Sequence, residues 1–162
     1  MAFDMNEQHS APDRVRAALI NAGLHPEIRQ FAESTRTAQE AANALGIGVG
    51  QIVKSLLFMS GDRPVLALIS GCNQLDTAKL SQLTGTDIRK ADAATVRQVT
   101  GYAIGGVPPF GFPSRIQTYI DADLLQYEEI WAAAGTPNHV FRTTPTELTT
   151  LTQATRADLK RG

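Results

Sequence analysis

Apolar residues dominate two consecutive stretches near the middle of the chain. The segments QIVKSLLFM (51–59) and PVLALIS (64–70) are apolar at nearly every position, and the polar turn SGDR lies between them. Continuous apolar runs of this length, bounded by turn residues, are typical of strands that are buried on both faces. We therefore predict a hairpin of two adjacent, well-buried strands at the centre of a sheet.

Helical periodicity and capping residues predict further elements on both sides of this hairpin. Thr37 and Glu40 have the spacing of a capping box, and Asp76 is a typical N-cap residue. The predicted helices span 12–22, 37–46, 76–83, 91–100, 122–135 and 145–154. Further strands are predicted at 26–31, 87–91, 116–121 and 139–144. This order combines a hairpin with crossover connections, which indicates a single α/β or α+β domain.

Composition narrows the class of protein. A length of 162 residues with 43% hydrophobic content suits one domain with one core. The 15 basic and 16 acidic residues nearly cancel, which argues against an autonomous, high-affinity nucleic-acid binder but leaves room for a local basic patch. Cys72, the only cysteine, permits no internal disulfide and is expected to be a small residue at a strand end. With no apolar run of signal-peptide length, we expect a soluble cytoplasmic protein without membrane association.

The usual catalytic motifs are absent from the sequence. It contains no G-x-S-x-G nucleophile elbow and no Cys/His cluster with metal-ligand spacing, so no metal or cofactor is expected. The segment GIGVGQIVKS does not fit a phosphate-binding loop, because three residues separate Gly50 from Lys54. Of the three histidines, only His139 falls near a candidate site. Any catalysis would therefore proceed without a general-base histidine or a metal ion.

Lys54 is a charged residue in the middle of an apolar strand. Ile52 and Leu56 share its face, and burying an ammonium group without a partner is costly. One interpretation is a functional lysine with a perturbed pKa. The other is a lysine at the rim of the sheet whose ammonium group extends into water. The sequence leaves both open.

Two loops and one acidic residue are weaker candidates. The irregular segment GYAIGGVPPFGFPSR (101–115) combines glycines that permit close backbone approach with prolines that fix the chain, as in a binding loop or an ordinary connection. Gly135, in the turn formed with Thr136 and Pro137, is accounted for by a helix C-cap. Asp121 is accounted for by a helix N-cap, although a second role in a site is open.

Several segments together resemble the YbaK-like superfamily of aminoacyl-tRNA deacylases, which is similar to the editing domain of bacterial prolyl-tRNA synthetases. These segments are IVKSLLF, LDTAKLSQLTG, TGYAIGGVPPFG, YIDADLL and AAGTPNHVFRTTPTEL. The resemblance implies a compact domain with a mixed, mostly antiparallel sheet surrounded by helices. We place this domain at 12–155, between a flexible N-terminal tail (1–11) and a C-terminal tail (156–162).

The resemblance also implies a function and a set of site residues. The reaction would be hydrolysis of the ester between a wrong amino acid and its tRNA, assisted by a ribose hydroxyl of the substrate. Lys54 would be the essential side chain, either binding the terminal phosphate or polarising the ester. Backbone groups of the Gly-Pro loop would hold the aminoacyl group, and these residues are Gly105, Gly106, Val107, Pro108, Pro109, Phe110 and Gly111. The turn at Gly135, Thr136 and Pro137 would form a pocket wall, and Asp121 matches a recurrent acidic residue.

The partners and the specificity are less defined. The implied partner is the acceptor end of an aminoacyl-tRNA, with a synthetase or an elongation factor as a further candidate that presents it. Some members of the superfamily that clear alanine from tRNA-Pro carry Asn directly after the lysine, whereas this chain has Ser55, which leaves the amino acid open. An alternative is a non-catalytic module that binds aminoacyl-tRNA or a synthetase. A hydrolase with Ser55 as nucleophile is disfavoured, because Ser55 points to the opposite strand face from Lys54.

Overall fold

A computed structural model describes residues 10–33, 35 and 37–162 and contains one mixed sheet. Most of the predicted N-terminal tail, residues 1–9, lies outside the described residues. The eight strands are β1 (Ile28–Gln30), β2 (Ile52–Ser60), β3 (Arg63–Ser70), β4 (Arg89–Lys90), β5 (Gln117–Asp121), β6 (Ile130–Ala133), β7 (His139–Thr143) and β8 (Thr155–Ala157). The five α-helices are α1 (Ala11–Asn21), α2 (Ala38–Leu45), α3 (Thr77–Thr84), α4 (Ala93–Thr100) and α5 (Pro145–Thr152). Within the described ranges, no helix has the length and apolarity needed to cross a membrane.

The sheet is built around the predicted hairpin. Its strand order is β1-β7-β6-β2-β3-β5-β8, and β2 runs antiparallel to β3 from Val53 to Ser60. The other edge of β2 has two short partners. Strand β6 pairs in parallel only with Ile52 and Val53, and β4 pairs in antiparallel only with Phe58 and Met59. The mixed sheet surrounded by helices is therefore confirmed, and the edge of β2 between β6 and β4 is open.

The core lies on both faces of the hairpin, as the continuous apolar runs predict. Leu66 and Leu68 of β3 enter one cluster together with α1, whereas Val65, Ala67 and Ile69 enter a second cluster under α3. All five of these residues are buried. Because successive side chains of a strand point to opposite faces, an alternating pattern would have left one face in water. The hairpin is thus the layer that joins the two cores.

Polar side chains fix the ends of the helices where the sequence predicts them. Ser10 accepts a hydrogen bond from the Asp13 backbone N–H at 3.3 Å, and Asp76 accepts from the Ala78 N–H at 2.9 Å. Helix α5 begins with a capping box in which Thr144 and Glu147 satisfy each other's backbone donors. These bonds stabilise donors that have no partner within the helix.

The predicted helix at 122–135 is wrong. Asp121 caps only a short 3₁₀ turn at Ala122–Gln126, and the chain then enters β6. Ile130 and Trp131 are both fully buried at this point, on opposite faces of the sheet. The alanines of IWAAAG favour a helix by intrinsic propensity, but burial on two faces against β2 and β7 overrides that preference.

The C-terminal residues pack against the sheet. Strand β8 pairs in parallel with β5, and Leu75 forms an isolated bridge with Lys160. Leu159 is fully buried in the cluster under α3. The segment predicted as a C-terminal tail from residue 156 therefore supplies an edge strand and a core residue.

Helix α3 provides a matched test of core burial. Leu80 is fully buried, whereas Leu83 on the same helix is 42% exposed. We expect Leu80→Ala to lower the free energy of unfolding by about 2–5 kcal/mol, because it removes buried methyl groups and leaves a cavity. Leu83→Ala should change it by less than about 1 kcal/mol. Urea unfolding followed by circular dichroism measures both, and equal effects would contradict the assignment of this core.

Candidate functional site

The open edge of β2 is the floor of a cavity. The cavity has a volume of about 810 Å³ and is lined by residues from both faces of β2, including Lys54 and Leu56 from one face and Val53 and Ser55 from the other. Side chains on opposite faces of a strand can reach one cavity only where the cavity wraps around the strand edge. The gap between β6 and β4 is that place.

Lys54 lies on the cavity wall and has a specific partner. Its Nζ donates to the backbone carbonyl of Asn73 at 2.6 Å, and the residue is only partly exposed. Burial lowers the pKa of the Lys54 ammonium below its ordinary value, while the nearby Cys72 and Asp121 partly oppose this shift. A lysine at the rim would hold its ammonium group in water. Here the group is anchored inside the cavity, with donors left for a further partner.

Asp121 fixes the residue that anchors Lys54. The carboxylate is 1% exposed and accepts from the Ser70 backbone N–H at 3.1 Å and from the Asn73 amide at 2.8 Å. It also accepts from the Asp123 backbone N–H at 2.9 Å, which makes Asp121 the N-cap of the short 3₁₀ turn and not of the predicted helix. Asp121 does not line the cavity. It acts on Lys54 through Asn73 and through its negative charge.

The Gly-Pro loop contributes to the cavity with only part of its length. Gly105 and Val107 line it, whereas Gly106 is pressed against the neighbouring turn. A Cβ atom at Gly106 would lie 2.5 Å from the Gly135 carbonyl oxygen, and the Gly135 N–H donates to the Gly106 carbonyl at 2.9 Å. Glycine at 106 is thus required by the close approach of the two loops.

The remaining loop residues lie behind the cavity wall. Pro108 and Pro109 are buried, and Phe110 packs edge-on against Phe141 with ring centroids 6.1 Å apart. Gly111 has a positive φ and lies against Ala18 of α1. These four residues, predicted as part of the site, do not line the cavity.

The turn after β6 completes the opposite wall. Thr136 and Pro137 line the cavity, as does His139. The Thr136 hydroxyl lies 2.5 Å from His139 Nδ1 and 2.7 Å from the Asn138 side-chain oxygen. This nitrogen of His139 is therefore committed to the turn. Of the three predicted turn residues, Thr136 and Pro137 face the same cavity as Lys54, whereas Gly135 does not line it.

Sequence reasoning missed several residues of this cavity. Cys72 is exposed beside Lys54, and Lys90 and Thr37 also contribute to the walls. The hairpin register could have indicated Cys72, because the chain after Ser70 runs alongside the start of β2, where the Gly71 N–H donates to Ile52 at 2.7 Å. Within the described ranges, no group of three or more His, Cys, Asp or Glu residues could hold a metal ion.

Comparison with known proteins gives a consistent set of relatives. Residues 32–151 match the aminoacyl-tRNA editing domain. The chain is 28% identical to the proline–tRNA ligase of a Thermoanaerobacter species, with 83% of this chain but only 25% of the ligase covered. It is 29% identical to EbsC of Enterococcus faecalis, provisionally named a Cys-tRNA(Pro)/Cys-tRNA(Cys) deacylase, with 80% of each chain covered. A solved structure of a provisionally named trans-editing enzyme for prolyl-tRNA synthetase matches with a TM-score of 0.92, 49% identity and coverage of 95% of this chain and 99% of that one.

The environment of Lys54 predicts an unusual titration. Because burial disfavours the ammonium form, Lys54 should lose its proton at lower pH than the exposed lysines. Asp121→Asn removes a charge that favours the ammonium form and should lower the pKa of Lys54 further. NMR titration of reductively methylated protein measures both values. Asp158→Asn, which changes the surface partner of Lys79, is the control and should leave Lys54 unchanged. A Lys54 midpoint at or above those of the exposed lysines would contradict this description.

Proposed function

The chain belongs to the aminoacyl-tRNA editing domain family, whose activity is aminoacyl-tRNA deacylation, and from this premise we propose that it acts in trans on mischarged tRNA of the proline type. The observation that carries the proposal is the Lys54 ammonium group, held by the Asn73 carbonyl at the wall of a cavity that could admit the end of a tRNA. The names of EbsC and of the trans-editing relative support tRNA-Pro as the substrate class.

The proposed chemistry is electrostatic. Lys54 can donate to the ester carbonyl or to the oxygen that becomes negative in the tetrahedral intermediate, and such a donor is most effective where water is partly excluded. A solvent-exposed cation would suffice for a phosphate. The half-buried, anchored position of Lys54 therefore favours the polarisation of the ester over the binding of the terminal phosphate.

Activation of the attacking group is assigned to the substrate. Among the described residues, the Ser55 hydroxyl has no hydrogen-bond partner that could act as its base. The Thr136 hydroxyl donates its proton to the Asn138 side-chain oxygen, so it accepts from His139 Nδ1 and is not activated by it. A free ribose hydroxyl next to the ester can attack it or orient a water molecule. Positioning of that kind can contribute several orders of magnitude to a rate. Because an aminoacyl ester is already activated, positioning together with the charge of Lys54 accounts for the reaction.

The biological need is for the removal of small amino acids. A synthetase pocket discriminates against one missing methylene by only about 10- to 200-fold, so small errors require a second site. With a net charge of −1, the chain has little general attraction for RNA, so we propose that a synthetase or an elongation factor presents the acceptor end.

We expect the protein to deacylate at least one tRNA-Pro species mischarged with Ala, Ser, Cys or Thr, and to leave tRNA-Pro charged with Pro, the correctly charged control, intact. Lys54→Ala and Lys54→Met should lower kcat/KM by about 100-fold or more, the usual cost of removing a donor to an oxyanion. Release of labelled amino acid, measured at single turnover, gives the rates.

Lys79→Ala is the matched control, because it removes a surface lysine that is paired with Asp158 and lies outside the cavity. It should retain the wild-type rate. Lys54 variants that fold and still turn over at the wild-type rate would overturn the role of Lys54. A folded wild-type protein that hydrolyses none of these esters would favour a binding module instead.

A further inference from the structure

The open edge of β2 presents backbone groups to the cavity. In an antiparallel pair, residues alternate between those whose N–H and C=O bond the partner strand and those whose groups point away. The Gly71 N–H donates to the Ile52 carbonyl, so the even-numbered residues of β2 bond in the direction of β3. Odd-numbered residues bond in the other direction, and the Leu57 carbonyl accordingly accepts from the Ala91 N–H at 3.1 Å.

Ser55 is the odd-numbered residue that falls in the gap. If β6 continued its parallel pairing one step further, the Gly135 N–H would reach the Ser55 carbonyl. The Gly135 N–H instead donates to Gly106, and β6 has already ended at Ala133. On the other side, the pairing of β4 begins only at Phe58. The Ser55 carbonyl therefore has no backbone partner in the part of the chain that the structure describes. In the same register the Ser55 N–H would donate to the Ala133 carbonyl, but the pairing of β2 with β6 stops at Val53 and Ala132, which leaves the N–H without this partner as well.

The same residue carries a third unpaired group, its hydroxyl. The Ser55 side-chain oxygen is buried and has no hydrogen-bond partner within the described residues. Buried backbone and hydroxyl groups are almost always paired in folded proteins, and leaving them unpaired is costly. Unpaired backbone groups of Ser55 at the wall of a cavity indicate that a ligand completes them.

We propose that the aminoacyl group of the substrate takes the place of the missing strand residue opposite Ser55. In an α-aminoacyl ester, the ammonium group and the carbonyl are both attached to the α-carbon, as are the N–H and C=O groups of a strand residue. The Ser55 carbonyl would accept from the α-ammonium, and the Ser55 N–H would donate to the ester carbonyl, as in strand addition at an open sheet edge. This inference rests on the proposed function and identifies what the site recognises: a free α-amino group.

The placement also orients the amino-acid side chain. Directly opposed residues of neighbouring strands project to the same face of a sheet. The substrate side chain would therefore lie on the face of Ser55, where Val53 and Val107 form apolar cavity walls. Lys54 projects to the other face of the sheet, so it does not contact the α-amino group. Recognition of the α-ammonium is thereby assigned to the Ser55 carbonyl alone, whereas the ester oxygen has two donors, the Ser55 N–H and Lys54.

Two stable analogues test the proposal on the wild-type protein. One is an acceptor-end oligonucleotide whose terminal 3′-amino-3′-deoxyadenosine carries an alanyl group in amide linkage; the other carries a propionyl group, which lacks only the α-ammonium. Calorimetry should show the propionyl analogue binding at least about 10-fold more weakly, as expected for loss of a charged hydrogen bond. Lys54→Met should retain this ratio. Equal affinities of the two analogues for the wild-type protein would overturn the proposal.

A variant pair tests the backbone donor. Ser55→Pro removes the N–H, and an N–H that faces an open edge is where a strand tolerates proline. Ser55→Ala keeps both backbone groups. With thermal unfolding as the check on folding, Ser55→Pro should bind the alanyl analogue at least about 10-fold more weakly than Ser55→Ala. Equal binding by these two variants would overturn the role of the N–H, and if Ser55→Pro does not fold, the analogue ratio of the wild-type protein decides.

The outcomes separate this inference from the proposed function. Turnover of mischarged tRNA together with equal analogue affinities would leave the deacylase standing and remove the strand-edge site. Absence of turnover together with a 10-fold preference for the alanyl analogue would establish recognition of the α-amino group without hydrolysis.

Discussion

The central strand β2 has a continuous partner along one edge and two partial partners along the other, and the candidate site depends on this arrangement. Strand β3 pairs with β2 over eight residues, whereas β6 and β4 each cover two. A sheet interior normally satisfies every backbone group on both edges. The protein instead leaves one residue of its central hairpin open and surrounds it with a cavity.

The loops that surround the opening are tied to each other as well as to the sheet. The Gly135 N–H donates to the Gly106 carbonyl, and the two loops approach so closely that only glycine fits at 106. Because the Gly135 N–H is bonded to Gly106, it does not pair with β2. One interaction therefore both fixes the cavity wall and keeps the strand edge free. The prolines and Phe110 contribute from behind, where they pack into the core. The loop is rigid because its buried half is part of the core, and preorganised walls are what positional catalysis requires.

The hairpin, the caps of α1, α2, α3 and α5, and the isolation of Lys54 among apolar residues follow from local patterns, so the sequence predicts them. The helix predicted at 122–135 fails because the decisive factor is the place of IWAAAG between β2 and β7, a contact over long sequence separation. The cavity is incompletely predicted for the same reason. Lys90 enters it only through the pairing of β2 with β4, and Asp121 comes near Lys54 only because Asn73 and β5 bring the two together. Local patterns carry no information about these contacts.

The anchoring of Lys54 explains how one lysine can serve in place of a larger catalytic set. A flexible lysine at the surface would lose side-chain entropy on meeting the substrate and would be screened by water. Lys54 has already given up that freedom, because the Asn73 carbonyl holds its Nζ and Asp121 with Asp123 holds the Asn73 amide. Burial lowers the pKa of the Lys54 ammonium group, and the negative charge of Asp121 partly opposes this shift. The network thus maintains a positive charge in a partly desolvated place, where a carbonyl that gains negative charge interacts with it more strongly than it would in water.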